Sequence, residues 1–384
     1  MSILASDIGR RELTLPDKLR GIPWGLLLLV TVIAGIGFAM LYSAGNGDWQ
    51  PWAAKQMGRF GIALLPMVAA ALIHIRHWYR IAYVLYGVSL ALVIAVDLGG
   101  IVGMGAQRWI DLGVIQLQPS ELMKIALVLA LARYFHRLSN EEVGRLIRLI
   151  VPAALIVVPV GLVLKQPDLG TAMMLLAVGA VMFFTAGVRL WILALGPIAA
   201  AGLAPIAWSF LRDYQKVRLY TFIDPEADPL GAGYHILQSK IAFGSGGLFG
   251  KGFLLGTQGH LSFLPEKQTD FIFTMLAEEF GLVGSVTLLA LYTIVIVYAF
   301  AIALRSRNQF GRLLGLGIAT NFFLYVFINT AMVMGLIPVV GVPLPLISYG
   351  GTAMLTVLFG FGLLMNVGIH RDARISRLGE SQPG

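Results

Sequence analysis

The sequence places a carboxylate suited to acid–base chemistry just before a long apolar run. Asp270 follows the polar stretch 265–269, and the acidic pair Glu278-Glu279 comes before uninterrupted apolar residues. Partial desolvation beside apolar neighbours makes a carboxylate more basic, which suits a general base. The structural alternative is that Thr269 or Asp270 caps a helix, which stabilises it by about 1 kcal/mol and needs no chemistry. The residues alone leave both interpretations open.

Cationic side chains suited to anion binding lie in the same parts of the chain. Arg108 stands beside Trp109, and a guanidinium can bind phosphate through two N–H groups. Lys240 and Lys251 flank a glycine-rich segment, 244–252, whose backbone N–H groups can approach an anion closely. The segment does not fit a nucleotide-binding P-loop, because the required glycine and Ser/Thr positions hold Ser245 and Gly252. A flexible tether without a ligand is the alternative.

Three further ionisable residues fall at or inside apolar segments. Glu121 and Lys124 are three residues apart, which places them on one face of a helix as an ion pair. Ionisable groups within a bilayer are functional candidates, although a neutralised pair near a helix end can be purely structural. Asp168 lies in a tight turn and is either a helix cap or an inward-facing acid. The histidines lack the spacing of a zinc site.

These residues belong to a very apolar chain. Hydrophobic residues make up 58% of the 384 residues and charged residues only 12%, about half the usual share of ~25%. So few charges cannot cover a water-soluble surface. Cysteine is absent, which removes disulfides and thiolate chemistry. The composition therefore predicts a polytopic membrane protein.

The order of apolar runs predicts an all-α membrane fold with about ten transmembrane helices, each of about 20 residues. Most of the 28 Lys and Arg residues fall on one side when the N-terminus is cytoplasmic, so both termini are predicted inside. We expect one integral membrane domain over 1–384. Within it we expect a cytoplasmic leader at 1–22, a large extracytoplasmic loop at 212–280 between helices seven and eight, and a cytoplasmic tail at 370–384. The predicted spans are 24–43, 57–75, 79–97, 120–138, 148–164, 170–187, 190–211, 281–304, 312–335 and 348–369.

Several ordered motifs resemble those of the SEDS (shape, elongation, division and sporulation) family, from about the second span to the tenth. They include Arg108-Trp109, Gln118-Pro119-Ser120-Glu121 with Lys124, Gln166-Pro167-Asp168-Leu169-Gly170-Thr171, Thr269-Asp270-Phe271, and Ser348-Tyr349-Gly350-Gly351. Loop residues at 233–242 and 341–346 are more similar to the elongation branch of the family than to the division branch. One departure is Gln268, where many relatives carry His, which argues against an imidazole proton relay at this position.

The resemblance implies a peptidoglycan glycosyltransferase that polymerises lipid II on the outer face of the bacterial inner membrane, in cell elongation and shape control. Asp270 matches the family's catalytic position and would accept the proton of the attacking hydroxyl. Their positive charge and their predicted side of the membrane indicate that Arg108, Lys124 or Lys251 would stabilise the leaving polyprenyl diphosphate. Mg²⁺ or Mn²⁺ is a candidate cofactor. A class-B penicillin-binding protein is the implied partner. The predicted substrate-binding residues are Arg108, Glu121, Lys124, Asp168, Arg218, Lys240, Lys251 and Ser348.

Three alternatives remain at this point: a lipid II flippase, the division-type glycosyltransferase, and a non-catalytic scaffold. A transporter would distribute ionisable groups through the depth of a central path, whereas here they concentrate on one predicted face. A scaffold would leave Asp270 dispensable. Neither a nucleotide nor a nucleic acid is expected, because the positive charge is explained by membrane orientation.

Overall fold

The computed structural model describes residues 14–376 apart from 104–105, 112, 114–115, 197, 199–201, 203–208, 210–212, 225–232, 262–263 and 265. The predicted span at 190–211 begins with a helical segment at 190–196 and otherwise falls largely outside these residues. The other helices are α1 (Leu15–Arg20), α2 (Trp24–Ala44), α3 (Ala53–Leu72), α4 (Ile75–Gly99), α5 (Pro119–Arg137), α6 (Asn140–Val143), α7 (Leu146–Lys165), α8 (Leu169–Ala186), α9 (Asp213–Ile223), α10 (Tyr234–Gly246), α11 (Thr257–His260), α12 (Ile272–Arg305), α13 (Gln309–Val333) and α14 (Gly351–Ile369).

Seven of the described helices are long and apolar enough to cross a membrane, namely α2, α4, α7, α8, α12, α13 and α14. Helices α3 and α5 are of similar length, at 20 and 19 residues. Helix α5 carries Glu121, Lys124 and Arg133, so its length rather than its hydropathy fits a span. The chain is a multi-pass membrane protein, and the predicted mostly helical architecture is confirmed.

The bundle has a fully packed centre and an apolar outside. Helices α5, α13 and α14 are buried along most of their length, and α14 packs on α3 while α13 packs on α5, α8 and α12. Helices α2, α4, α7 and α12 instead expose large apolar side chains such as Leu28, Val84, Ile147 and Val297. Apolar surface of this kind is stable against lipid chains, since nothing there needs hydration.

A small sheet corrects the all-α expectation. Strands β1 (Ile101–Gly103), β2 (Ala106–Asp111) and β3 (Gln116–Leu117) form an antiparallel sheet in the order β1-β2-β3, within the connection predicted at 98–119. The register pairs Ile101 with Trp109, and Ile110 with Leu117. Ile101, Ile110 and Trp109 are of the β-branched and aromatic types that suit a pleated surface. The prediction missed the sheet because each strand is too short to show an alternating pattern.

Helix α12 begins before the predicted span 281–304 and is not continuous. It begins at Ile272 and is interrupted at Gly281, which has φ 64° and ψ −158°. The interruption lets the 247–252 segment bond to the freed backbone, with Lys251 N–H donating to the Glu278 carbonyl and Gly252 N–H to that of Glu279, both at 3.0 Å. Only glycine fits at 281, because an added Cβ would lie 2.4 Å from the Gly250 nitrogen.

Most candidate residues gather at one end of the bundle, here called the site end. It contains the first turns of α3, α5, α8, α12 and α14, the last turns of α4, α7 and α13, and the small sheet. At the opposite end, the junctions α3–α4, α5–α7 and α12–α13 carry Arg76, Arg137 and Arg307. Most candidate residues and these arginine-bearing junctions therefore lie at opposite ends of the bundle.

Candidate functional site

Asp270 lies in a turn of residues 266–271, directly before α12, and is partly exposed. The N-cap of α12 is Phe271, so the alternative in which Thr269 or Asp270 caps the helix is wrong. The Oδ2 atom of Asp270 faces Gly341, where an added Cβ would be 3.5 Å away. The Asn329 amide donates to the Asp270 carbonyl at 2.9 Å and to the Val342 carbonyl at 2.7 Å. The carboxylate is therefore presented by a backbone that is held on both sides.

The lip loop, residues 340–350, forms the support of the Asp270 turn. The Ser348 hydroxyl donates to the Thr269 carbonyl at 2.5 Å and accepts from Leu344 N–H at 2.7 Å. Tyr349 N–H donates to the Gln268 carbonyl at 2.8 Å. The Gln56 amide of α3 donates to the Ser348 carbonyl at 2.9 Å. Ser348, predicted to bind substrate, has a hydroxyl engaged in positioning this turn.

Asp168 adjoins the other side of the lip loop. Its carboxylate caps α8, accepting from Thr171 N–H at 3.2 Å and from the Thr171 hydroxyl at 2.9 Å. The Gln118 amide donates to it at 3.2 Å, which links α8 to the first turn of α5. Next to it, Gly170 packs so tightly that an added Cβ would be 2.8 Å from a methyl of Val342. The cap interpretation of Asp168 thus describes its observed contacts.

Glu121 and Lys124 form the predicted ion pair, with Nζ 2.6 Å from Oε1 and side-chain exposures of 4% and 1%. The Tyr325 hydroxyl donates to the other carboxylate oxygen of Glu121. The Lys124 ammonium also lies 4.1 Å from the centre of the Tyr325 ring. A buried charge pair keeps its ionised form only when both partners are satisfied in this way. These contacts join the pair to other groups of the protein, as in a structural ion pair.

Arg108 and Lys251 have partners as well. Arg108 donates to the Gln166 carbonyl at 3.2 Å and to that of Pro167, so it fixes the turn before Asp168. The Lys251 ammonium is 2.6 Å from a carboxylate oxygen of Glu278, a residue with a fully buried side chain. Glu278 in turn accepts from Thr257 N–H at 2.8 Å. These bonds hold the 251–258 segment against α12.

The structure brings Asp270, Ser348, Asp168, Arg108, Glu121 and Lys124 to the site end. Lys240 is exposed and lies beside Gly335, near the last turn of α13. Lys251 belongs to the separate Glu278 cluster. The backbone of Arg218 is helical within α9, but its side chain lies outside the described part of the structure. The substrate-binding roles of all these residues remain predictions.

Two observations bear on the charge of the site. Lys267 is buried and donates to the Gly259 carbonyl at 2.8 Å, and this burial lowers the pKa of its ammonium below the ordinary value. Among the residues that the structure describes, no three His, Asp or Glu side chains come together as metal ligands. The candidate Mg²⁺ or Mn²⁺ stays a prediction, since Mg²⁺ is often held by only one or two carboxylates.

Several residues of the site escaped the sequence analysis. Gln56, Gln118, Tyr325 and Asn329 each bridge two elements at the site end. Gln56 and Asn329 are fully buried. A buried amide is stable only when it is hydrogen-bonded, so Asn329, which lies inside the predicted span 312–335, carried an available signal, whereas Gln56 and Gln118 fall just outside the predicted spans and carried none.

The fold and this site define a polytopic helical membrane protein with a carboxylate presented at one end of the bundle. The profile of the FtsW/RodA/SpoVE family, described as cell cycle protein, matches residues 22–373. The peptidoglycan glycosyltransferase MrdB of Escherichia coli K12 is 43% identical over 360 residues, covering 92% of this chain and 95% of that protein. The chain belongs to the FtsW/RodA/SpoVE family.

Comparison with solved structures also points to this family. A chain from a study titled "Structural coordination of polymerization and crosslinking by a peptidoglycan synthase complex" matches with a TM-score of 0.79 and 35% identity, covering 91% of this chain and 98% of that one. The rod shape determining protein RodA of Thermus thermophilus matches with a TM-score of 0.70 and 33% identity, covering 91% and 97%. The resemblance inferred from the motifs is confirmed.

Proposed function

We propose that this chain, a peptidoglycan glycosyltransferase of its family, polymerises lipid II in cell elongation with Asp270 as the general base. The observation that carries the proposal is the Asp270 turn. It is partly exposed, and it is held by Ser348 and Asn329 against the lip loop. A base must be reachable by its substrate and fixed in direction, and this arrangement meets both requirements.

The proposed topology has ten transmembrane helices, both termini in the cytoplasm and the site end on the outer face of the bacterial inner membrane. The domain limits at 1–22, 212–280 and 370–384 belong to this proposal. The arginine-bearing junctions at the opposite end support it, because basic loops stay in the cytoplasm. This orientation exposes Asp270 to the side on which glycan strands are built.

In the proposed reaction the 4-hydroxyl of the acceptor sugar attacks the anomeric carbon of the donor. The new bond joins that oxygen to the anomeric carbon, and the bond from the carbon to the diphosphate oxygen breaks with its electron pair on the diphosphate. Asp270 accepts the hydroxyl proton. Because a diphosphate is a good leaving group, a second carboxylate acting as acid is not needed, unlike in glycosidases.

The remaining polar residues supply rigidity and charge. Asp168 and Arg108 fix the turn before α8, whose tight contact at Gly170 supports the lip loop. The Glu121–Lys124 ion pair begins in the first turn of α5, which follows Gln118. A Mg²⁺ or Mn²⁺ ion would be bound mainly through the diphosphate and water, since Mg²⁺ takes few protein ligands. The proposed steps do not depend on that ion.

We also propose a class-B penicillin-binding protein as the partner that crosslinks the new strand. The support is that a solved relative belongs to a peptidoglycan synthase complex that coordinates polymerisation with crosslinking.

The test of the activity is chain growth on labelled lipid II by the purified protein with its partner in detergent. Detergent micelles have no two sides, so lipid movement cannot contribute. We expect glycan polymer together with release of polyprenyl diphosphate. Movement of lipid II in vesicles without any polymer in detergent would instead support the flippase alternative and refute this proposal.

A further inference from the structure

The three cations predicted to bind the diphosphate, Arg108, Lys124 and Lys251, are engaged by the protein itself. Lys124 pairs with Glu121, Lys251 with Glu278, and Arg108 donates to two backbone carbonyls. Lys124 and Lys251 give little extra stabilisation to an incoming anion, because each ion pair must first be broken. Arg108 keeps its charge but already directs N–H groups to two carbonyls, so a further cation in this part of the bundle would strengthen diphosphate binding.

Arg59, in the first turns of α3, differs from these residues. It forms no ion pair with a carboxylate in the described part of the chain. Its Nη1 atom is buried without a hydrogen-bond partner. An unsatisfied buried guanidinium nitrogen is costly, and a ligand oxygen would satisfy it. Helix α3 therefore carries a charged donor group without a described acceptor.

The position of Arg59 connects it to the catalytic turn. Its guanidinium carbon lies 4.5 Å from the centre of the Tyr349 ring, and Tyr349 N–H donates to the Gln268 carbonyl at 2.8 Å. Gln268 is two residues before Asp270. One helical turn before Arg59, Gln56 bonds to the Ser348 carbonyl and to Gly350 N–H. Arg59 and Asp270 thus adjoin the same lip loop.

The local electrostatics favour an anion at this place. The Arg59 guanidinium lies over Gly351, the first residue of α14, where an added Cβ would be 3.2 Å from its Nε. A helix N-terminus carries partial positive charge from its N–H groups, so a cation there is unfavourable unless an anion accompanies it. A planar guanidinium stacked on an aromatic ring is also well placed to bind phosphate oxygens in pairs.

We propose that Arg59 binds the diphosphate of the lipid donor and of the released polyprenyl diphosphate. The inference rests on the proposed function and extends it, since it assigns the leaving group to a residue outside the predicted set. Stabilising the charge that develops on the diphosphate lowers the barrier of the transfer step, while Asp270 handles the proton. Arg59 is therefore a substrate-binding residue in this scheme.

The test measures binding rather than turnover, using the purified full-length protein. Fluorescent polyprenyl diphosphate and polyprenyl monophosphate are the two probes. We expect Arg59→Gln to weaken diphosphate binding by about 10- to 100-fold, the usual value of a charge-assisted hydrogen bond, and to weaken monophosphate binding much less. The matched control is Lys55→Gln, which removes an exposed cation one turn earlier on the same helix and should bind like wild type.

Unchanged diphosphate affinity in Arg59→Gln would overturn the inference, and so would an equal loss for both probes, which would indicate a purely structural role. Should the Gln variant not fold, Arg59→Lys carries the test. Its ammonium cannot form the paired bonds, so diphosphate affinity equal to wild type would likewise overturn the inference. Because no turnover is measured, these outcomes do not depend on Asp270. A failure of Asp270 as the base would leave them unaffected.

Discussion

Replacing Ser348 by Ala isolates the contribution of the lip loop to the position of Asp270. The serine hydroxyl donates to the Thr269 carbonyl at 2.5 Å and accepts from Leu344 N–H at 2.7 Å, and the residue is 5% exposed. The substitution leaves one partly buried carbonyl, of Thr269, and one buried N–H, of Leu344, without the bonds that Ser348 makes. Each unsatisfied group costs about 1–3 kcal/mol, so the turn should lose about 2–6 kcal/mol before relaxation and entry of water.

Part of that loss is expected as displacement of the turn, because Thr269 is adjacent to Asp270. A misplacement of about 1 Å can reduce a rate by about 10²-fold. We therefore expect kcat for lipid II polymerisation to fall by about 10- to 100-fold, with KM nearly unchanged. The assay is initial-rate polymerisation of labelled lipid II, together with thermal unfolding in detergent.

The matched control is Ser120→Ala. Ser120 is also buried, but its hydroxyl has no hydrogen-bond partner among the described residues, so stability and rate should stay close to wild type. A rise in KM with unchanged kcat in Ser348→Ala would refute the positioning argument. It would favour instead the sequence-based prediction that Ser348 binds substrate directly.

Three further predictions follow from other contacts. Lys124→Met leaves Glu121 buried without its counter-charge, so we expect a loss of about 3–5 kcal/mol in unfolding free energy, partly recovered by adding Glu121→Gln; equal stability of the single and double variants would contradict this. Gly170→Ala places a Cβ 2.8 Å from a methyl of Val342, so it should lower the polymerisation rate clearly and the melting temperature only slightly. A wild-type rate in this variant would argue against the contact. Burial, reinforced by neighbouring cations, lowers the pKa of His370 to about 4, so the unfolded chain binds a proton near pH 6.5 before the folded protein does. The contribution of neutral His370 to the unfolding free energy is then complete above about pH 6.5 and is lost as the pH falls towards 4. Over this pH range the melting temperature of His370→Gln should fall less than that of wild type, and an equal fall in both proteins would exclude this residue as its cause.

Much of the architecture could be predicted because bilayer thickness imposes a simple rule on helix length. The limits of α2, α8, α12 and α14 at the ends opposite the site end lie close to the predicted ones. The break at Gly281 could not be predicted from hydropathy. It depends on a distant segment, 247–252, that supplies backbone partners, and glycine alone does not reveal such a contact.

The candidate site likewise contains some features that the sequence predicted and others that it could not predict. Local spacing predicted the Glu121–Lys124 pair, since three residues on a helix determine one face. The resemblance supplied Asp270. The support of that residue by Asn329 and Ser348 joins segments 59 and 79 positions apart in sequence, and no local pattern encodes such a bond. Bridging amides of this kind become evident only once the helices are packed together.

In the proposed reaction Asp270 accepts the proton of the attacking hydroxyl. The most direct measurement is the single-turnover rate of the first glycosidic bond on labelled lipid II, comparing wild type with Asp270→Asn. Asparagine keeps the side-chain shape and the backbone contact from Asn329 but removes the basic oxygen. We predict a rate lower by about 10²- to 10⁴-fold with donor binding retained. A rate equal to wild type would contradict the account.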